Sequence, residues 1–398
     1  MSKTIIIIGA GLAGLSAALQ AAENGCNVKL VSSLPSERAQ SVMAEGGINA
    51  ALNTKDENDS PEEHFTDTIK AACGLADPNA VWGMTQAAPE LVHWLLKLGV
   101  KFNMSGYDDV DLRNFGGQKK KRTAFAQSDT GKQIMTAMID AVRRKEASGM
   151  VERFSHHSFL TLRLCGNICC GCVIRDEYSQ ETVELPGDAV IVATGGMHGL
   201  FGNTTGSLSN TGEVTAELFR LGVPLANGEM IQYHPTTVKC GGKRMLISEA
   251  ARGEGGRLFA MKDGKQWYFM EEKYPELGNL MPRDITAREI WKVSHESEVF
   301  LDMTEISEEI ISNKLSGLAD DCMTYLHKDI RKEPVSVLPG IHYFMGGILV
   351  DEQHRTPIQN LYAAGECCAQ YHGANRLGGN SLLGALYGGR VAAKSACE

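Results

Sequence analysis

Residues 4–32 follow an order that few folds accept. An apolar run (Ile5–Ile8) leads into the turn Gly9-Ala10-Gly11-Leu12-Ala13-Gly14, then an Ala-rich stretch (Leu15–Asn24) and a second apolar run, Val28–Val31. Four consecutive isoleucines have no polar face, so this strand must be covered on both sides, as in a parallel sheet flanked by helices. Gly9 permits the tight turn out of the strand, Gly11 lets backbone approach a ligand, and Gly14 lets helix and strand pack closely. Such a turn aims the first N–H groups of the helix at a crevice, which suits a pyrophosphate. Gly25 is placed to end the helix. The expected fold class is therefore α/β, beginning with a dinucleotide-binding unit.

NAD sites usually carry an acidic residue about 20 positions further on, for the ribose. Here the second strand ends Val31-Ser32-Ser33, which points to another cofactor. Small-residue turns recur far downstream, at Gly46-Gly47, Ala193-Thr194-Gly195-Gly196, Leu361–Glu366 and Gly378-Gly379-Asn380-Ser381-Leu382-Leu383. One long cofactor touched by several loops accounts for them, and FAD is the expected one.

The rest of the chain is read more coarsely. Residues 58–103 place Val81, Met84, Leu91, Trp94 and Leu95 at helical spacing. Residues 150–193 are expected to form a small antiparallel sheet ending in the buried strand Ala189–Ala193. Between 225 and 335, strands such as Met245–Ser248 and Val299–Asp302 mix with helices. Strand-like segments return at Gly347–Asp351 and Leu361–Ala364, before a helix over 380–395. This divides the chain into an FAD-binding domain (1–225), an inserted α+β cap (226–335) and a return segment (336–398), with the cleft between domain and cap.

Composition excludes several alternatives. A net charge of −9 over 398 residues argues against a nucleic-acid binder. It leaves an anionic substrate open, because a few arginines in a cleft set the local field. No apolar run reaches the roughly 18 residues of a membrane span, and the N-terminal run is too short for a signal-peptide core, so a cytoplasmic location is expected. The 11 cysteines, an odd number without a secretory signal, read as reduced thiols. Cys165, Cys169, Cys170 and Cys172 fall in a hairpin turning at Gly166-Asn167, and since no partner pair follows at zinc-site spacing they read as structural rather than metal-binding, as do Cys367-Cys368. No metal is expected. His156, His157, His198, His327 and His354 fit no motif. Lys119-Lys120-Lys121-Arg122 reads as a solvated charge run, Arg122 alone falling in a motif.

That motif is one of several. His234-Pro-Thr-Thr237, Ser248–Gly256, Pro282–Arg288, His342–Gly347 and His372–Leu383 resemble, in order and over nearly the whole chain, the signature blocks of the fumarate reductase / succinate dehydrogenase flavoproteins. Phe115-Gly116-Gly117, Arg122-Thr123 and Thr130-Gly131 match as well. L-aspartate oxidase belongs to the same superfamily. The resemblance implies a Rossmann-like, glutathione-reductase-like FAD domain with an inserted cap. It implies Arg283 as the acid, reloaded through Arg252 and Glu249. Arg376 and His342 would hold one carboxylate, and His234, Thr236 and Ser248 the other, with Phe115 and Gly116 at the substrate. For FAD it implies Gly9, Ala10, Gly11, Leu12, Ala13, Gly14, Ser32, Ser41, Ala44, Glu45, Gly46, Gly47, Ala193, Thr194, Gly195, Asn210, Glu366, Arg376, Ser381 and Leu382.

These residue types suit a small dicarboxylate. Two cationic or donor clusters held apart can clamp both ends, and arginine binds carboxylate bidentately. Clamping fixes the central C=C for hydride addition, and drawing electrons toward one carboxylate polarises the alkene.

Two departures shape the expectation. Family members with covalent FAD carry a histidine six residues before the first glycine of the Gly-Gly pair; here that position is Gln40, so the flavin is expected to be noncovalent. The chain also closes soon after the last block, so the family's C-terminal helical domain, with its surface for an iron–sulfur partner, is expected to be absent. The expected activity is FAD-dependent reduction of fumarate to succinate, with an electron-donor protein or iron–sulfur subunit as candidate partner. L-aspartate oxidase, a succinate dehydrogenase flavoprotein subunit, another enoate reductase and a non-catalytic flavin electron-transfer subunit remain alternatives.

Overall fold

A computed structural model describes residues 2–398. Strand β1 (Thr4–Ile8) runs through the glycine turn into helix α1 (Leu12–Glu23), which begins directly after Gly11, and strand β2 (Asn27–Ser32) follows. The expected helical region is two helices, α2 (Pro61–Ala72) and α3 (Pro78–Leu98). Ser60 caps the start of α2, accepting from the Glu63 N–H at 3.3 Å; the break follows at Cys73, in the left-handed region, and Asp77 opens α3 by accepting from the Asn79 N–H at 2.8 Å, each helix beginning with proline. Helix α4 (Thr130–Ala147) leads to strand β3 (Val151–Ser155), and strand β4 is Ala189–Val192.

Residues 226–335, the expected cap, supply β5 (Ile231–Cys240), β6 (Lys243–Leu246), α5 (Glu249–Gly253) and α6 (Arg283–Val293). The chain then passes through β7 (Leu338–Phe344) and β8 (Leu361–Ala363) to the closing helix α7 (Asn380–Cys397).

One five-stranded sheet, ordered β8-β4-β1-β2-β3, is parallel throughout. Its strands lie between two apolar clusters. Ile5 and Ile7 point into one cluster with α1 and α7; Ile6 and Ile8 point into the other with Val190, Val192 and Leu361. That two-sided burial is why β1 is apolar at every position. The progression of strands reverses at β1, between β2 and β4, and a crevice opens there at the carboxyl ends of the strands.

Residues 150–193 are not one antiparallel sheet. Val151–Ser155 follows helix α4 and joins the parallel sheet beside β2, the usual outcome of a β-helix-β crossover; only residues 157–186 form the antiparallel three-stranded piece. Its hairpin does turn at Gly166-Asn167. Strands β6-β5-β7 form an antiparallel sheet, and a separate apolar cluster gathers Ile247, Leu258, Ile290, Leu301 and Leu318 with Phe115. Helices α1 and α7 pack closely: a Cβ on Gly389 would lie 2.3 Å from the Ala13 carbonyl, and Ser16 Oγ donates to the Leu386 carbonyl at 2.7 Å.

The charge run ends inside the protein. Arg122 is fully buried and ion-paired to Asp59 (2.8 Å) and Asp67 (2.9 Å), while Lys119 and Lys121 stay exposed. Among the described residues, no helix is long and apolar enough to cross a membrane, and no group of metal-ligating side chains assembles.

Candidate functional site

A cleft of about 710 Å³ runs from the glycine turn after β1 to the cap. Gly9 to Ala13, Ser32, Ser41, Ala44 to Gly47, Ala193 to Gly195, Asn210, Glu366, Ser381 and Leu382 all line it. At its cap end stand Phe115, His234, Ser248, Glu249, Arg283, His342 and Arg376. Gly14, Gly116, Thr236 and Arg252 are not on the wall.

Those four lie behind the surface. A Cβ on Gly14 would sit 1.8 Å from the Gly9 carbonyl, so this glycine closes helix onto turn. The Thr236 hydroxyl donates to the Ile247 carbonyl at 2.8 Å, away from the cleft. A bulge between His234 and Thr237 breaks the strand alternation that would have turned both residues the same way. Gly116 N–H donates to Glu249 Oε1 at 2.8 Å, and Arg252 sits behind the same carboxylate, its Nη2 3.5 Å from Oε1.

The turn end fits a dinucleotide. Gly9 has φ +112°, and a Cβ there would lie 2.2 Å from the Ala193 carbonyl, so the crevice wall closes only on glycine. Helix α1 has no side-chain cap of its own and no acidic residue in its first turn; the Leu12 N–H reaches only Ser41 Oγ, at 3.2 Å. Its positive end therefore faces the cleft. Ser32 Oγ and Glu45 Oε2 are buried without partners, a rare condition that a polar ligand along this wall would relieve. Burial pushes the Glu45 carboxyl up to about 8, with Asp321 and Asp129 adding to it. Glu366 accepts from the Phe344 N–H at 3.0 Å and lies 3.1 Å from His198 Nε2, which fixes it at the cleft wall.

The cap end is a compact set of charges. Arg283, near the start of α6, grips Glu249 through Nε (2.8 Å) and Nη2 (2.6 Å) and donates from Nη1 to Gln232 Oε1 at 3.0 Å. Gln232 in turn donates to the Arg376 carbonyl at 2.8 Å, tying the two arginine-bearing segments together. Arg376 is buried with its guanidinium carbon 4.3 Å above the Tyr343 ring; burial, with the like charge of Arg283, brings it down to about 9.

Burial raises Glu249, yet Arg283 and Arg252 outweigh it and hold the carboxyl at about 2. His234 and His342, rings 5.0 Å apart, both fall well below the usual histidine range, first through burial and then through neighbouring charge, including Arg283. His234 Nδ1 is occupied by the Thr236 backbone (3.3 Å to N, 3.1 Å to O), which leaves Nε2 buried with no partner. The cap end thus offers two cationic guanidiniums and two neutral imidazoles.

Several contributors escaped sequence reasoning. Thr205 Oγ1 lies 2.8 Å from His342 Nδ1, and His198 backs Glu366. Gln232 stands two residues before His234 on β5, and the two-residue repeat of a strand could have found it.

The FAD binding domain family model matches residues 4–382. The chain is 44% identical to the succinate dehydrogenase flavoprotein subunit of Bacillus subtilis, over 100% of this chain and 69% of that protein. It is 34% identical to the L-aspartate oxidase of Streptomyces coelicolor, over 99% of this chain and 68% of that protein. The quinol fumarate reductase flavoprotein of E. coli superposes with a TM-score of 0.92 at 31% identity, over 100% of this chain and 70% of that one.

Proposed function

Because the chain belongs to the FAD-binding family of fumarate reductase and succinate dehydrogenase flavoproteins, we propose that it reduces fumarate to succinate in the cleft beneath the cap. The observation that carries this reading is the Arg283–Glu249 pair, with Nε and Nη2 both on Oε2, on the same wall as Arg376 and the unpartnered Nε2 of His234.

The wall from Gly9 to Ser32 and on to Gly195 and Ser381 would hold FAD noncovalently, and the bound flavin would be the source of hydride. The chain's own residues bind, orient and protonate. Arg376 and His342 take one carboxylate, the guanidinium with full charge and the imidazole as a neutral hydrogen-bond partner. His234 Nε2 and Ser248 Oγ take the other. Holding both ends leaves the C=C nowhere to rotate, which converts binding into rate. Positive charge beside one carboxylate favours the electron shift toward it during addition.

The proton comes from Arg283. A guanidinium normally keeps its proton, and here it is pressed against an ionised carboxylate with Arg252 behind. A proton lost from Arg283 is restored along Arg252 and Glu249, while Gly116 N–H holds the carboxylate in place.

Gln40 lines the cleft at the position where a histidine would bond the flavin. Glutamine forms no such bond, and the lower potential of a noncovalent flavin favours reduction. Relatives named as flavoprotein subunits support an electron-donor protein or iron–sulfur subunit as partner.

Succinate oxidation is the second reading, favoured by the name of the relative at 44% identity. The test is a direct comparison: fumarate added to enzyme with reduced viologen dye, succinate with an oxidising dye, and L-aspartate with oxygen. Rapid dye oxidation by fumarate is expected. Peroxide release from L-aspartate without fumarate turnover would reject the proposal.

A further inference from the structure

On the far side of the β5–β7 strand pair lies an outer groove of about 540 Å³. Neighbouring residues on each strand line different spaces. Tyr233 and Ile341, paired in register, line the groove, whereas His234 and His342 line the cleft. One residue lines both spaces, Arg244 on the neighbouring strand β6.

The fold makes room for this arginine. A Cβ on Gly340 would sit 2.6 Å from Arg244 Cδ and 3.0 Å from its Nε, so the side chain lies across a strand that has no side chain there. Its backbone N–H donates to the Thr204 carbonyl at 2.9 Å. Nε donates to Thr237 Oγ1, and Nη2 to the Thr237 carbonyl at 3.1 Å and the Leu338 carbonyl at 3.4 Å. Those bonds all end on neutral oxygens. The guanidinium is oriented but its charge is not neutralised by them.

The molecule carries a net charge of −9, so a dianion approaching it is repelled on average. The groove offers a local exception. Its lining includes Arg244 and His295, whose Nδ1 is tied to the Trp291 carbonyl at 2.7 Å.

We propose that Arg244 captures a small dicarboxylate from the outer groove and passes it to the cleft, where Arg376 and His234 hold it. The proposal rests on the dicarboxylate reading above and adds a second, weaker anion subsite to it. It assigns Arg244 to the rate of arrival, and leaves the bound complex and the chemical step to the residues of the cleft. Charges that act on approach change association rates and their salt dependence more than dissociation.

The test uses the flavin-loaded protein and malonate, a dicarboxylate that cannot be reduced, followed by stopped-flow flavin absorbance at low and high salt. Arg244→Gln should lower the association rate constant about tenfold at low salt, flatten its salt dependence and change the dissociation rate little. Arg244→Lys should recover most of the loss. His295→Glu, which puts a negative charge in the groove, should slow association in the same way.

An Arg244→Gln protein with wild-type association rate and salt slope would overturn the proposal. So would a change confined to dissociation or to thermal stability, either of which would mark a structural role, and so would wild-type protein that binds no malonate. Unchanged association in His295→Glu would refute the groove as the route. Fumarate turnover by the wild type is scored separately. Its absence would reject the proposed reaction, while the malonate rates would still decide the role of Arg244.

Discussion

Burial leaves His234 and His342 uncharged while Glu249 stays ionised, because the carboxylate alone has guanidiniums in contact. In water the carboxylate would be ionised too, but the imidazoles would still protonate in mild acid; burial removes that option and keeps them neutral to lower pH. If Arg283 delivers the proton, Arg283→Ala should lower fumarate turnover by about 10³-fold, within the usual span for a lost acid. Its flavin-to-protein absorbance ratio should stay at the wild-type value, since Arg283 stands at the substrate end. Turnover near wild type would remove it from the acid role. The residue types at this end were legible in the sequence, but not their orientation. Thr236 looked like a partner of His234 in binding substrate, and a bulge turns it to the Ile247 carbonyl instead. Arg244 drew no notice, because a basic residue in a hairpin reads as surface.

The elements show where pattern and packing part company. The glycine turn was readable because its outer glycines answer to local clashes: Gly9 against the Ala193 carbonyl, Gly14 against the Gly9 carbonyl. Strand Val151–Ser155 was misjudged because its place beside β2 depends on the helix before it, which no short window reveals. Arg122 is the clearest case. Three lysines precede it and suggest water, yet it lies between Asp59 and Asp67, near where α2 meets the Asn49–Gln118 hydrogen-bond network behind Gly378. Removing one member of a buried pair strands the others. Arg122→Met should therefore cost about 3–5 kcal/mol of stability, read from the denaturant midpoint. A change below about 1 kcal/mol, the scale of an exposed pair, would mean that the aspartates neutralise at little cost.

For the whole molecule, the cleft is assembled from parts that lie far apart in the chain: the glycine turn, the Glu45 segment, the end of β4, the cap strands and the segment from Glu366 to Leu382. The order of motifs along the sequence was enough to anticipate this gathering, though not the depth at which each residue would stand. Gln40 gives the prediction at this scale. Acid precipitation should release all the flavin into the supernatant, and yellow colour kept in the pellet after washing would refute noncovalent attachment.

The parallel sheet has a temporal consequence. Strand β8 pairs with β4 across about 170 positions of sequence, and α7 packs on α1 from the opposite end of the described chain. During synthesis, β4 must wait as an open edge until residues 361–363 leave the ribosome, a state prone to misdirected pairing. The apolar cluster over residues 247–337, with Phe115 from earlier in the chain, can compact in the meantime. Cofactor capture is then a late event: a nascent chain stalled before Glu366 would hold a folded cap and an incomplete seat for its flavin.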